Sequence, residues 1–155
     1  MKPPNLRRSV IALAALMIGT GTAAAFAPVA GAATSVEDQV VALVNKERAG
    51  AGCGAVKIDS RLTKAAAEHS ADMAKRTYLD HTTPDGVTFT QRISKAGHPS
   101  PGAENIAQGY QSADEVMAGW MKSDGHKANI LNCSNKTIGV GFDANGDYWT
   151  QDFGS

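Results

Sequence analysis

Four histidines, two cysteines and a set of carboxylates are the side chains able to do chemistry in this 155-residue chain. His81 follows the end of a predicted helix, with Asp80 beside it, and His126 follows Gly125 where another helix breaks. Both stand at element ends, where reactive groups are commonly presented. Spacing alone does not bring them together. His69 falls on the apolar stripe of a predicted helix and reads as a core or rim histidine; His98, in a Gly-Pro loop, reads as solvated. Cys53 and Cys133 can each be read as a catalytic thiol, a metal ligand or half of a disulfide. The chain carries no nucleophile elbow, no H-E-x-x-H helix and no phosphate-cradling loop. Gly139 and Gly141 form a G-x-G inside a predicted hairpin, which speaks for close packing rather than nucleotide binding.

The beginning of the chain decides the cysteine chemistry. Lys2, Arg7 and Arg8 form a positive segment, Val10 to Ile18 an apolar one, and small residues close the stretch at Ala30-Gly31-Ala32-Ala33. The expectation is a signal peptide over residues 1–33, cleaved near 32/33 or 33/34, and a secreted, extracellular domain over residues 34–155. Its apolar core is shorter than the roughly 20 residues a spanning helix needs, and no transmembrane segment is expected in the mature chain. In an exported chain an even cysteine count favours a Cys53–Cys133 disulfide.

Fifteen basic residues balance fifteen acidic ones, and all three charges of the leader are basic, so the exported part sits near 12 − 15 = −3. No basic face exists to neutralise phosphates, which excludes nucleic acid as an expected partner.

The elements that must position these residues follow from periodicity and caps. Ser35 opens a helix with Val36, Val40, Leu43 and Val44 on one stripe, stopped by Gly50, Gly52 and Gly54. Asp59 or Ser60 caps a second helix carrying Leu62, Ala66, His69 and Met73. A short helix runs from Thr88 to Ala96, with Thr88 and Gln91 as a capping box, and Pro99, Pro101 and Gly102 mark a loop. Ser112 caps a helix ending around Asp124-Gly125, and Lys127 to Leu131 begin another turn. Ile138 to Phe142 and Tyr148 to Phe153 flank an Asn145-Gly146 turn as a hairpin. Trp149, Gln151 and Phe153 share one strand face. Helices covering a small antiparallel sheet make an α+β domain.

Several ordered motifs then carry a resemblance. Asn45-Lys46-Glu47-Arg48, Asp80-His81-Thr82, Gly102 to Ala107, Gly119 to Ser123, Gly125 to Asn132 and Tyr148 to Gly154 occur in sequence. Together they resemble the CAP superfamily of cysteine-rich secretory proteins, antigen 5 and plant pathogenesis-related proteins, in its bacterial SCP-like branch. The resemblance implies an α–β–α sandwich with a cleft holding two His and two Glu. His81 and His126 match the histidines and Glu104 the first acid. Ser123 stands where the second acid belongs, with Asp124 and Glu115 as nearby substitutes, and Ala103 stands where the family often has Gly.

His81, Glu104, Ser123 and His126 are therefore the expected cleft, with His81 and His126 as ligands of a weakly held divalent metal, Zn²⁺ first. A hydrogen-bonded cluster without metal is the alternative use of the same side chains. The expected function is a non-catalytic, monomeric extracellular binding module. Its ligand is unknown, and the resemblance suggests a lipid or sterol. The competing readings are a metal- or His/Glu-dependent hydrolase and a cell-wall interaction protein.

Overall fold

A computed structural model describes residues 34–155; the signal peptide expected over residues 1–33 and its expected cleavage near 32/33 or 33/34 lie outside the described residues. Five helices and four strands run in the order α1 (Val36–Gly50), β1 (Lys57–Ile58), α2 (Ser60–Arg76), α3 (Phe89–Lys95), β2 (Pro101–Gln108), α4 (Ala113–Met121), α5 (Asp124–Ile130), β3 (Thr137–Asp143) and β4 (Tyr148–Gly154). The caps follow the sequence. Ser35 accepts from the Asp38 amide, Asp59 from the Arg61 amide, and Thr88 with Gln91 forms a complete capping box. The helix expected to continue to Asp124-Gly125 instead ends at Met121. The Lys122 and Ser123 amides turn back onto the Gly119 and Trp120 carbonyls, and Ser123, in extended conformation, starts α5.

The sheet order is β1-β3-β4-β2. The β3–β4 and β4–β2 pairs are antiparallel, as expected of a hairpin and its neighbour, while the two-residue β1 adds a parallel pair with β3, so the sheet is mixed. The segment from Pro101 is strand rather than loop. Pro101 lies at the first position of an edge strand, where its missing N–H costs nothing. β2 is protected as an edge by side chains: Asn129 donates to the Glu104 carbonyl and Trp120 to the Ile106 carbonyl.

Strand alternation sorts the residues onto two faces. Ile138, Val140, Trp149 and Phe153 join α1, α4 and α5 in one apolar core with Val40, Val44, Val116, Trp120 and Ile130. On the other face α2 lies against β3 so closely that a Cβ at Gly139 or Gly141 would collide with helix backbone. The G-x-G is a packing device, as its place in the hairpin suggested.

Cys53 and Cys133 form a disulfide with Cα atoms 5.0 Å apart, 80 residues apart in sequence. Closing that loop stabilises the fold by about 4 to 5 kcal/mol in the chain-entropy account. Beside it, Arg48 is 1 % exposed and meets no carboxylate. Its guanidinium donates to the carbonyls of Gly54, Ile130, Asn132 and Asn135 at 2.8–3.0 Å. It thereby fixes the segment that follows α5. Among the described residues no helix is long and apolar enough to cross a membrane.

Candidate functional site

Glu104 is the centre of the site. Its place in β2 turns its side chain toward α2 and α3, where it is fully buried. A buried carboxylate needs partners, and Glu104 has them. The His81 Nδ1–H donates to Oε1 at 2.8 Å, and Arg92 of α3 donates to Oε2 at 2.5 Å. Arg92 also donates to the His81 and Val87 carbonyls, so one guanidinium holds both the acid and the backbone of the segment that carries His81. His81 itself is about half exposed. The Glu104 hydrogen bond raises its pKa above the ordinary histidine value, against the opposing effect of burial. Because Glu104 takes the proton on Nδ1, the Nε2 lone pair of neutral His81 is left free.

His126, on α5, is half-buried. Burial lowers its pKa, and the neighbouring His81 lowers it further, so the two imidazoles stand within electrostatic reach of each other. No hydrogen bond to the His126 ring occurs among the described residues; its carbonyl accepts from Asn105. Ser123 caps α5 through its backbone, and its hydroxyl makes no capping bond. The two acids considered as its substitutes are elsewhere. Asp124 is exposed in the first turn of α5, and Glu115 accepts from the Gln111 amide at the start of α4.

A second acid does stand beside Glu104, and it is Asp152. The β2–β4 register sets the two residues directly opposite each other, on the same face of the sheet. Asp152 is completely buried, and apart from Glu104 its carboxyl oxygens have no polar partner. Burial and the Glu104 carboxylate push its pKa well up, toward the neutral acid that donates a hydrogen bond to Glu104. The signal was present in the alternation of β4: if Trp149, Gln151 and Phe153 face one way, Asp152 faces the other. What spacing does not supply is the register with β2.

Behind the site, on the opposite face of the sheet, an amide network ties β2 to β4 and α5. Asn105 donates to Gln151 at 2.9 Å, and Asn129 donates to Asn105 at 2.8 Å. These amides lie within the ordered motifs but had no assigned role; they clamp α5, and with it His126, onto β2. His69 is buried, as its place on the apolar stripe predicted. His98 is not solvated. It is 3 % exposed, packed against Gly154 and hydrogen-bonded to the Thr137 hydroxyl, because the loop that carries it folds back over the end of the sheet.

The cleft beside His81 and Glu104 has a volume of about 550 Å³. It is lined by the hydroxyls of Thr82, Thr88 and Thr90, the Asn129 amide and the ring of Phe89. Among the described residues no three His, Cys, Asp or Glu side chains are grouped to hold a metal. Glu104 is committed to Arg92 and His81. A metal held here would rest on two imidazoles, His81 through Nε2 and His126, with Glu104 behind His81 as a carboxylate that would orient the ring.

With this fold and this constellation, the chain belongs to the cysteine-rich secretory protein (CAP) family, which matches it over residues 41–153. It is similar to the uncharacterized protein YkwD of Bacillus subtilis (strain 168), 40 % identical over 121 residues, covering 77 % of this chain and 47 % of YkwD. The membrane protein YlbC of the same organism is 31 % identical over 122 residues, covering 77 % of this chain and 34 % of YlbC. This chain thus spans half or less of the length of these relatives. Among solved structures, an extracellular SCP-domain protein from Bacillus anthracis superposes with a TM-score of 0.72 at 28 % identity, over 77 % of this chain and 40 % of that one. An outer surface protein of Borrelia burgdorferi shares the fold, with a TM-score of 0.69 at 24 % identity over 76 % and 90 % of the two chains.

Proposed function

We propose that this chain is an extracellular CAP-domain module that binds a ligand in the His81–Glu104 cleft without turning it over. The observation that carries this reading is the state of Glu104. Both of its oxygens are occupied, one by a guanidinium and one by an imidazole N–H. With both oxygens already accepting, Glu104 has no uncommitted oxygen to take a proton from a bound water, the main route to hydrolysis. Among the described residues no serine or threonine hydroxyl is hydrogen-bonded to His81 or His126, so no nucleophile is activated by either ring. Three threonines, an asparagine and one aromatic ring favour a polar, hydroxyl-rich ligand over an acyl chain.

His81 and His126 add a weak site for a divalent cation, with Zn²⁺ as the best match to two imidazoles. The extracellular setting rests on the leader composition, the disulfide, and the extracellular relative from Bacillus anthracis. The test is incubation of the purified protein and of His81→Ala with peptide and ester libraries. No His81-dependent turnover is expected. Hydrolysis by the wild type that the variant loses would make the protein an enzyme.

A further inference from the structure

The cleft beside His81 and Glu104, at about 550 Å³, falls within the roughly 300–1,000 Å³ typical of small-molecule sites. Its lining limits what can fill it. Among the described residues that line it there is no Lys, Arg or Asp, and Glu104 is fully buried with both oxygens engaged. A carboxylate or phosphate meets no cationic fork there, and an ammonium meets no free carboxylate oxygen. The lining therefore matches an uncharged ligand. Its spare polar capacity is mostly that of acceptors. Asn129 spends its amide N–H groups on the Glu104 carbonyl and on Asn105, and its own Oδ1 receives no donor among the described residues. The half-exposed His81 ring turns Nδ1 to the buried Glu104, which leaves Nε2 on the open side. The Thr82 hydroxyl meets no protein group among the described residues, and the exposed Thr90 shares one hydrogen bond with the Thr88 hydroxyl. Acceptors call for a donor-rich ligand, and hydroxyls pair with hydroxyls in either direction.

Phe89 gives this lining its aromatic surface. The ring is half-buried and packs on Leu62, Ala65 and Ile93, which holds it against the wall. A sugar ring carries C–H groups on its face and hydroxyls around its rim, which suits one electron-rich aromatic plate set among hydroxyls and an amide. A peptide suits the site less. Extended peptides dock by pairing with a free strand edge. On β2 the outward carbonyls of Glu104 and Ile106 are already taken by Asn129 and Trp120.

We propose that the cleft binds an uncharged oligosaccharide, with Phe89 as its stacking surface and Thr82, Thr90, His81 and Asn129 as partners of its hydroxyls. The inference rests on the ligand-binding reading of the same cleft and adds the class of the ligand.

The probes are cellotriose, maltotriose and chitotriose, titrated separately into the ¹⁵N-labelled protein with EDTA present. The uncharged N-acetyl-trialanine amide is the peptide comparison. At least one sugar should give saturable shifts at Thr82, Thr90 and Asn129, and the peptide should bind at least tenfold more weakly. The double substitution Thr82→Val/Thr90→Val removes two hydroxyls at nearly constant shape. It should weaken that sugar at least tenfold while leaving the rest of the spectrum in place. No saturable shift with any of the three sugars would overturn the proposal. So would equal binding of the peptide, equal affinity in the double variant, or shifts confined to residues outside the cleft. Mass spectrometry of the same samples separates this outcome from that of the non-catalytic reading. Cleft shifts with a cleaved sugar would keep the saccharide and overturn the absence of turnover, whereas intact sugars without shifts would overturn the saccharide alone.

Discussion

On the α1/α4/α5 side of the sheet, an apolar core adjoins the neutral Asn105–Gln151–Asn129 amide network, and among the described residues the one buried charge there, Arg48, is met by four neutral carbonyls. On the α2/α3 side, Arg92 is met by a carboxylate, which in turn carries His81 and Asp152. The same residue type is buried twice for different ends. Arg48 solves a backbone problem: the segment from Ile130 to Asn135 has no regular partner, and one guanidinium satisfies three of its carbonyls. Arg92 solves an electrostatic one, since it gives the buried Glu104 carboxylate a cationic partner. Only the second arrangement leaves a charged, hydrogen-bonding edge open to a cleft.

Arg48→Met should break the comparison most visibly. It orphans four carbonyls at once, and a loss of more than about 4 kcal/mol in chemical denaturation is expected. A smaller loss than that of Arg92→Met would mean that the structural face is not the one Arg48 supports. Phe153→Ala, which empties a fully buried ring position against Ile138 and Trp149, should cost about 3 to 4 kcal/mol. An unchanged denaturation midpoint would show the chain end to be peripheral. Arg92→Met leaves Glu104 buried without its cation and should cost about 3 kcal/mol near neutral pH.

Those three effects also show what the sequence makes legible. The helix starts at Ser35, Asp59, Thr88 and Ser112 are local, because each cap is a side chain bonding an amide two or three residues ahead. The hairpin is local too. Glu104 was found through its motif, whereas the strand that carries it was read as following a loop and is shown only by the sheet pairing. Asp152 was missed because its meaning is a cross-strand register, fixed by pairs such as Ala107 with Trp149 that depend on the whole sheet. His98 was misjudged for a similar reason: a Gly-Pro loop is usually solvated, and only the tertiary path shows it covering Gly154.

The smaller effects sharpen the polar side of the comparison. Asp152→Asn replaces a neutral donor by a neutral donor, so it should cost less than about 1 kcal/mol and leave the His81 titration midpoint in place by NMR. A drop in that midpoint would show that Asp152 had been an anion. His81 gains a partner on folding, and its raised pKa gives a stability contribution that is complete below about pH 6, the unfolded range. That contribution is lost as pH rises through the folded value. It is modest because the ring is half exposed. The destabilisation by His81→Ala should therefore be larger at about pH 5 than at about pH 8. His69, lowered by burial, works in the opposite sense, and its contribution is lost as pH falls below the ordinary histidine range.

Calorimetric titration of Zn²⁺ into the wild type and into the His81→Ala/His126→Ala double variant tests the cleft most directly. Two imidazoles with Glu104 orienting one of them should give weak, saturable binding to the wild type that fades as pH falls through the raised pKa of His81 and the ring protonates. The double variant should give no specific heat. Equal heats from the two proteins would contradict the account, because the cleft would then hold nothing through its histidines.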